Sequence, residues 1–173
     1  MDTDTANPRL ALSENKRSMI LLEDSEQDLP DTPARHNRSP CVLGLERLTS
    51  GRHYWEVEVG NVWWELGVCD ESVNRKGRSA PLPERGCWAV GLLNGKDYWA
   101  FTFPNTHLTP KVSPKAIGVF LDYDAERVTF YDADAKSQLF SFLLAHFPRS
   151  LLPYFCTYDS GNYLRLRSLT SQD

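Results

Sequence analysis

Residues 51–69 read GRHYWEVEVGNVWWELGVC, and the alternation inside this stretch decides the fold class. Between Tyr54 and Val59 large apolar residues alternate with charged ones. Tyr54, Glu56 and Glu58 take one face and Trp55, Val57 and Val59 the other, the period-two signature of a half-buried strand. Gly60, Asn61 and Val62 break the run. Beyond them Trp64, Leu66 and Val68 share a face opposite Glu65, Gly67 and Cys69. A second amphipathic strand therefore follows, and the short connection through Gly60 and Asn61 predicts that the two pair antiparallel. Burying one Trp or Leu stabilises by roughly 1.5–3 kcal/mol, so an apolar face of this size requires a second sheet to cover it.

Toward the N-terminus, Ser50-Gly51 turns the chain into this pair after a short strand over residues 41–45 and a further apolar position at Leu48. Residues 19–22 make another apolar run of strand length. Residues 4–15 are an opening segment with a turn at Asn7-Pro8, and residues 23–40 hold nothing periodic and read as a loop. Toward the C-terminus, residues 70–85, with Pro81 and Pro83, form a second irregular stretch. Trp88, Val90 and Leu92 then alternate with Ala89, Gly91 and Leu93. Asn94-Gly95 predicts a two-residue type I′ hairpin, because this dipeptide tolerates positive φ. Pro104, Pro110 and Pro114 make residues 103–115 a third loop, since proline cannot donate to a ladder. Residues 117–123 and 127–131 form a hairpin about Asp124, Ala125 and Glu126, and the first of these strands is apolar on both faces, which suits a central position. Residues 139–144 are ambiguous between a strand and a turn of helix. Residues 151–156 and 163–169, on either side of Asp159-Ser160-Gly161-Asn162, close the domain. About ten to thirteen short strands at this spacing, with no competing helical periodicity, predict an all-β fold, a two-layer antiparallel sandwich.

At 173 residues the chain fits one domain with a substantial core. No apolar run approaches the roughly 18 residues of a membrane span, and no charged-then-apolar leader follows Met1, so neither secretion nor import is expected. Cys41, Cys69, Cys87 and Cys156 form no CxxC pair, which argues against zinc. A chain of this size needs no staples, so four free thiols in a reducing, cytoplasmic compartment are the expectation. The net charge of −4 gives no electrostatic reason to seek nucleic acid. The strongest basic run, NRKGR at residues 74–78, reads as a solvated turn, or as a loop that helps capture an acidic peptide.

The constellations of common enzymes do not assemble. There is no GxSxG elbow, His36, His53, His107 and His146 are dispersed, and no phosphate-cradling glycine loop occurs. Asp122 with Asp124 and Asp132 with Asp134 flank hairpin turns, where Asp bonds its own backbone. A binding module is expected, with no cofactor and no metal.

The segments DTANPRLALSE (4–14), CVLG (41–44), HYWEVEVG (53–60), WELGVC (64–69), NRKG (74–77), GCWAVGL (86–92), IGVFLDYDAERVTFYDA (117–133) and LLPYF (151–155) resemble, in this order, the PRY-SPRY domain of tripartite-motif ubiquitin ligases and butyrophilin tails. The resemblance implies a SPRY-type, concanavalin-like sandwich with a PRY segment at 1–50 and a SPRY segment at 51–173, both forming one domain. It implies a protein or peptide partner, neither nucleic acid nor membrane, and the cytoplasmic, innate-immune setting of that family. The isolated domain would be monomeric and the full protein dimeric through a coiled coil outside this chain. Carried over position by position, the partner site is Glu65, Gly91, Leu93, Trp99, Asn105, Tyr158 and Asp159, with Asn74 and Arg75 of the basic loop beside it. Glu65, opposite Trp64 on its strand, is expected to point at the ligand. Trp99 takes an outward position and either anchors the partner or packs under residues 103–114. Relatives that hold an antibody fragment carry large aromatics where this chain has Gly91 and Leu93. The positions matching the basic basin of phosphate-capturing butyrophilins are here Glu65, Trp99, Asn105 and Cys156. A peptide bearing a cationic or amide group is therefore the expected ligand class.

Overall fold

The computed structural model describes residues 1–22, 26–77, 80–143, 150–161 and 163–167. In chain order they form β1 (Leu10–Leu12), β2 (Ser18–Leu21), β3 (Cys41–Leu43), β4 (Arg52–Glu58), β5 (Trp64–Asp70), β6 (Cys87–Leu93), β7 (Asp97–Ala100), β8 (Thr106–Leu108), β9 (Ala116–Asp122), β10 (Arg127–Asp132), β11 (Ser137–Leu143), β12 (Leu151–Thr157) and β13 (Leu164–Leu166). One 3-10 turn, Pro83–Arg85, precedes β6. Seven strands make one layer in the order β1-β2-β13-β4-β9-β10-β11, and six make the other in the order β3-β12-β5-β6-β7-β8. Every ladder among them is antiparallel. This is the predicted all-β sandwich.

Alternation decides which side chains lie between the layers. Trp64, Leu66 and Val68 of β5 and Trp88, Val90 and Leu92 of β6 enter one core cluster with Val57, Ile117, Val119, Leu121 and Phe130 from the opposite layer. Trp64 is only 2 % exposed, its indole Nε1 donating to the Gly60 carbonyl at 3.0 Å. The residues between these positions face away from the core. On the six-stranded layer they form a second buried cluster, Cys41, Leu43, Cys69, Cys87, Ala89, Phe101, Leu152, Tyr154 and Cys156, and this outer face carries the candidate site.

Several expectations need correction. β4 and β5 do not pair: β4 lies between β13 and β9, β5 between β12 and β6. Residues 59–63 arch from one layer to the other, so each apolar stripe is covered by the other. The Asn94-Gly95 turn has the positive φ values expected, 55° and 72°. Its register, Leu93 opposite Asp97, leaves a three-residue connection instead of two. Residues 103–115 are not all loop, since β8 pairs with β7 between Pro104 and Pro110, a short outer strand of the kind proline tolerates. Residues 139–143 belong to a strand, and Leu144 lies outside the described residues, as do His146, Asn162 and residues 168–169 of the last expected strand. Finally, Cys69 and Cys87 are joined as a disulfide, Cα–Cα 4.2 Å, while Cys41 and Cys156 are free. The pairing of β5 with β6 sets Cys69 directly opposite Cys87, a meeting that their separation of 18 residues does not announce.

Candidate functional site: the outer face of the six-stranded layer

Register places Cys41, Cys156, Glu65, Gly91, Trp99 and His107 in one line across β3, β12, β5, β6, β7 and β8. Each lies next in sequence to an inward residue, so all six face outward. At the middle of the line Glu65 is 6 % exposed. The Tyr154 hydroxyl donates to its Oε1 at 3.0 Å, and Cys156 stands directly opposite it on β12. Burial raises the Glu65 pKa to about 7 against the smaller opposing effect of these two neighbours. Glu65 thus faces the predicted side, but it is a covered acid and not an open acceptor for a cation. Cys41 Sγ lies 3.2 Å from the Tyr154 oxygen. Because the Tyr154 proton is directed at Glu65, the thiol is the donor in that contact. Burial pushes the Cys156 thiol and the Tyr154 phenol well above their ordinary values.

Half-exposed groups surround this acid. Trp63 and Tyr158 stack with ring centroids 4.7 Å apart, and the Tyr158 N–H donates to the Trp63 carbonyl at 3.2 Å. Burial, with Cys156 and Glu65 close by, raises the Tyr158 phenol. Leu93 packs at the margin of the same outer cluster as Tyr158. Trp99 is half-buried, with its ring 4.8 Å from that of His107, so its indole is partly open and partly packed on the next strand. The Phe101 ring reaches over Gly91, where an added Cβ would come within 2.9 Å of it and 2.7 Å of the Trp64 carbonyl. No larger residue fits there without a shift.

The remaining expected site residues sit at the margin of this face or at its far end. Asn105 is exposed in the connection before β8. The Asp159 carboxylate accepts from the Gly161 N–H at 2.8 Å, a turn contact. Asn74 and Arg75 lie at the opposite end of the face. Asn74 accepts from the Lys76 N–H at 3.0 Å and lines a cavity of about 390 Å³ together with His36, Cys41, Cys69, Cys87 and Tyr154. The Arg75 guanidinium donates to the carbonyls of Ala34 and Glu71 at 3.1 and 2.8 Å. Lys76 is held by the Asp31 carboxylate and the carbonyls of Thr32 and Arg35. These cations therefore clip two loops together instead of offering free charge, and Arg78 lies outside the described residues. Sequence reading missed Tyr154 and Cys41 as members of the site, and named Cys156 only as a position matching the butyrophilin basin. The alternation in residues 151–156 does place Tyr154 and Cys156 on one face, but their meeting with Glu65 depends on the strand order. Among the described residues no group of three or more His, Cys, Asp or Glu could hold a metal ion, and no helix is long and apolar enough to cross a membrane.

Comparison with known families decides what carries this face. Residues 52–167 match the SPRY domain and residues 1–48 the SPRY-associated domain, PRY. The chain is a PRY-SPRY domain. It is 47% identical over 162 residues to human "Zinc finger protein RFP", covering 93% of this chain and 31% of that protein. It is 48% identical to mouse "Butyrophilin subfamily 1 member A1", covering 93% and 30%, and 42% identical to human "E3 ubiquitin-protein ligase TRIM58", covering 92% and 33%. The PRY-SPRY domain thus spans about a third of each of these relatives. Its fold matches the crystal structure of the TRIM65 PSpry domain, with a TM-score of 0.82 at 22% identity, covering 97% of this chain and 88% of that one. It also matches part of stonustoxin, with a TM-score of 0.81 at 25% identity, covering 96% and 28%.

Proposed function

We propose that this PRY-SPRY domain binds a protein or peptide partner on the outer face of its six-stranded layer, between the Trp63–Tyr158 stack and Trp99. The observation that carries the reading is this pair of half-exposed aromatic groups flanking Leu93 over a buried acid. Interface hot spots are enriched in Trp and Tyr, which bring large apolar area at little entropic cost. With the Glu65 carboxyl covered, the ligand class shifts from the cationic peptide expected at first to a segment that inserts an apolar or aromatic side chain. Asn105 and Asp159 lie at the margin, where polar groups orient rather than anchor. Asn74 and Arg75 lie outside this footprint. The domain itself carries no catalysis in this reading.

In the full protein this domain is the substrate-recruiting C-terminal module of a RING-type tripartite-motif ubiquitin ligase, acting in the cytoplasm. The RING domain and a dimerising coiled coil would be supplied outside this chain, and avidity would strengthen a weak pocket. The similarity to RFP and TRIM58 supports this. A butyrophilin-like receptor tail is the second reading, because butyrophilin subfamily 1 member A1 is equally similar. The two are separated by the residues preceding this domain in the gene: Cys/His zinc spacings and heptads for the first, an apolar run of about 20 residues for the second.

Pull-down with this chain followed by peptide competition tests the site. Trp99→Ala should weaken capture about 30-fold or more, some 2 kcal/mol, while leaving the unfolding midpoint near that of wild type. Capture that survives both Trp99→Ala and Tyr158→Ala would remove the assignment.

A further inference from the structure

Two cysteine pairs occupy the outer face of the six-stranded layer in equivalent positions. Cys69 stands opposite Cys87, and Cys41 opposite Cys156. In each pair one cysteine sends its backbone groups away from its partner. The Cys87 N–H donates to the Leu82 carbonyl at 3.1 Å, the Cys41 N–H to the Ser39 carbonyl at 2.7 Å, and the Cys41 carbonyl accepts from the Asn7 N–H at 3.0 Å. Both are therefore non-hydrogen-bonded antiparallel pairs, the register in which Cα atoms approach to about 4.5 Å and side chains lie closest. That separation falls within disulfide reach. The first pair is closed, whereas the second is open, both of its thiols free and buried.

The open pair also has a route in and an outlet for protons. Cys41 lines the cavity of about 390 Å³ that His36, Asn74 and the Cys69–Cys87 disulfide also line, room enough for a small peroxide. Its S–H points at the Tyr154 oxygen, whose own proton points at Glu65, and Cys156 stands directly opposite Glu65 in the ladder. Both thiols thus drain toward one carboxyl.

We propose that Cys41 and Cys156 form a second, latent disulfide, closed by a small hydroperoxide entering through this cavity, with Glu65 as the proton acceptor. Cys41 sulfur attacks the peroxide oxygen. The O–O and S–H bonds break, an S–O bond forms, and with hydrogen peroxide the leaving hydroxide takes the proton that Cys41 gives up and departs as water. Cys156 sulfur then attacks Cys41 sulfur, passing its proton to Glu65, and the S–O bond breaks. The departing hydroxide collects the proton from Glu65 as a second water. Two thiols are oxidised to one disulfide and one peroxide is reduced to two waters. Burial raises the Cys156 thiol, so the resolving step is slow and depends on the carboxyl. The new bond would tie β3, from the PRY segment, to β12 beneath the aromatic face. The chemistry is independent of whether that face is the partner site.

The test is peptide mapping of this chain after millimolar hydrogen peroxide, with free thiols blocked on denaturation and digestion without reductant. A Cys41–Cys156 linked peptide should form in wild type. In Cys156→Ser a dimedone-type reagent should trap the sulfenic acid on Cys41. Glu65→Gln should slow linkage by at least about tenfold and abolish the rise of its rate across neutral pH. Linkage at an unchanged rate and pH profile in Glu65→Gln would overturn the role of the carboxyl. Full blocking of Cys41 and Cys156 after peroxide, in wild type that stays folded by circular dichroism, would overturn the site.

Discussion

The phenol of Tyr154 and the carboxyl of Glu65, on adjacent strands and two residues out of direct register, share a 3.0 Å hydrogen bond within the outer face of the six-stranded layer. Two effects compete at this carboxyl. Donors from Tyr154 and Cys156 favour its charged form, and desolvation disfavours it; desolvation wins, leaving the group to titrate near 7.

The sign of the resulting pH dependence follows from linkage. The folded state holds the Glu65 proton more tightly than the unfolded chain does. This contribution to stability is therefore greatest below about pH 4.5, declines as pH rises toward about 7, and is constant above that. Glu65→Gln should abolish the decline. Above neutrality the variant should exceed wild type by up to about 3 kcal/mol, since the Gln carbonyl still accepts from Tyr154. Urea unfolding on both sides of the window reads this, and a variant less stable than wild type at alkaline pH would contradict a buried charge.

His36 acts in the opposite direction. Its ring is 4 % exposed, with Nδ1 2.9 Å from the Thr5 carbonyl, and desolvation lowers its pKa to about 4. A base that folding holds neutral contributes stability above its unfolded value near 6.5, and this is lost as pH falls toward about 4. Between about pH 4.5 and 6.5 the slopes of His36 and Glu65 offset each other. Wild type should therefore show a flatter profile there than Glu65→Gln, in which stability should climb with pH through that interval. Parallel profiles for the two proteins would refute this.

Tyr154→Phe removes the donor to Glu65 and the acceptor for Cys41 without changing the ring. It should cost about 1–3 kcal/mol when Glu65 is charged and less when it is protonated. Comparing unfolding midpoints above and below the Glu65 titration gives the difference directly, and a pH-independent cost would mean that the ring, not the hydroxyl, is responsible.

Gly67 sits where β5 and β6 approach each other, and a Cβ there would lie 2.0 Å from the Trp88 carbonyl and 2.7 Å from the Ala89 Cα. Backbone cannot yield as a flexible side chain can, so Gly67→Ala should cost more than about 3 kcal/mol. Gly51→Ala, at a glycine with open space around its added carbon but φ of 76°, should cost only about 1–2 kcal/mol. Equal midpoints for the two variants would contradict the close approach.

The layered architecture was legible because alternation at 54–59 and 64–69 survives into β4 and β5. Their partners were not legible, since a short connection between amphipathic strands serves an arch as well as a hairpin, and only the whole strand order decides. The same limit governed the site. Period two put Glu65 opposite Trp64 and Trp99 outward, as found, but exposure depends on what a neighbouring strand lays over a side chain. Tyr154 and Cys156 arrive from 89 and 91 residues away in sequence. Arg75 and Lys76 read as a free basic loop because carbonyls, which hold them, leave no trace in residue type.

The PRY segment contributes to both layers: β1 and β2 to one, with β2 against β13, and β3 to the other, against β12. A version beginning at Arg52, where the SPRY match starts, would leave two rows of peptide groups unpaired, one on either leaf of the sandwich. Unpaired strands of this kind recruit other chains. Such a truncated molecule would self-associate, and the first 48 residues are thus as much a guard against oligomer growth as a part of the binding module.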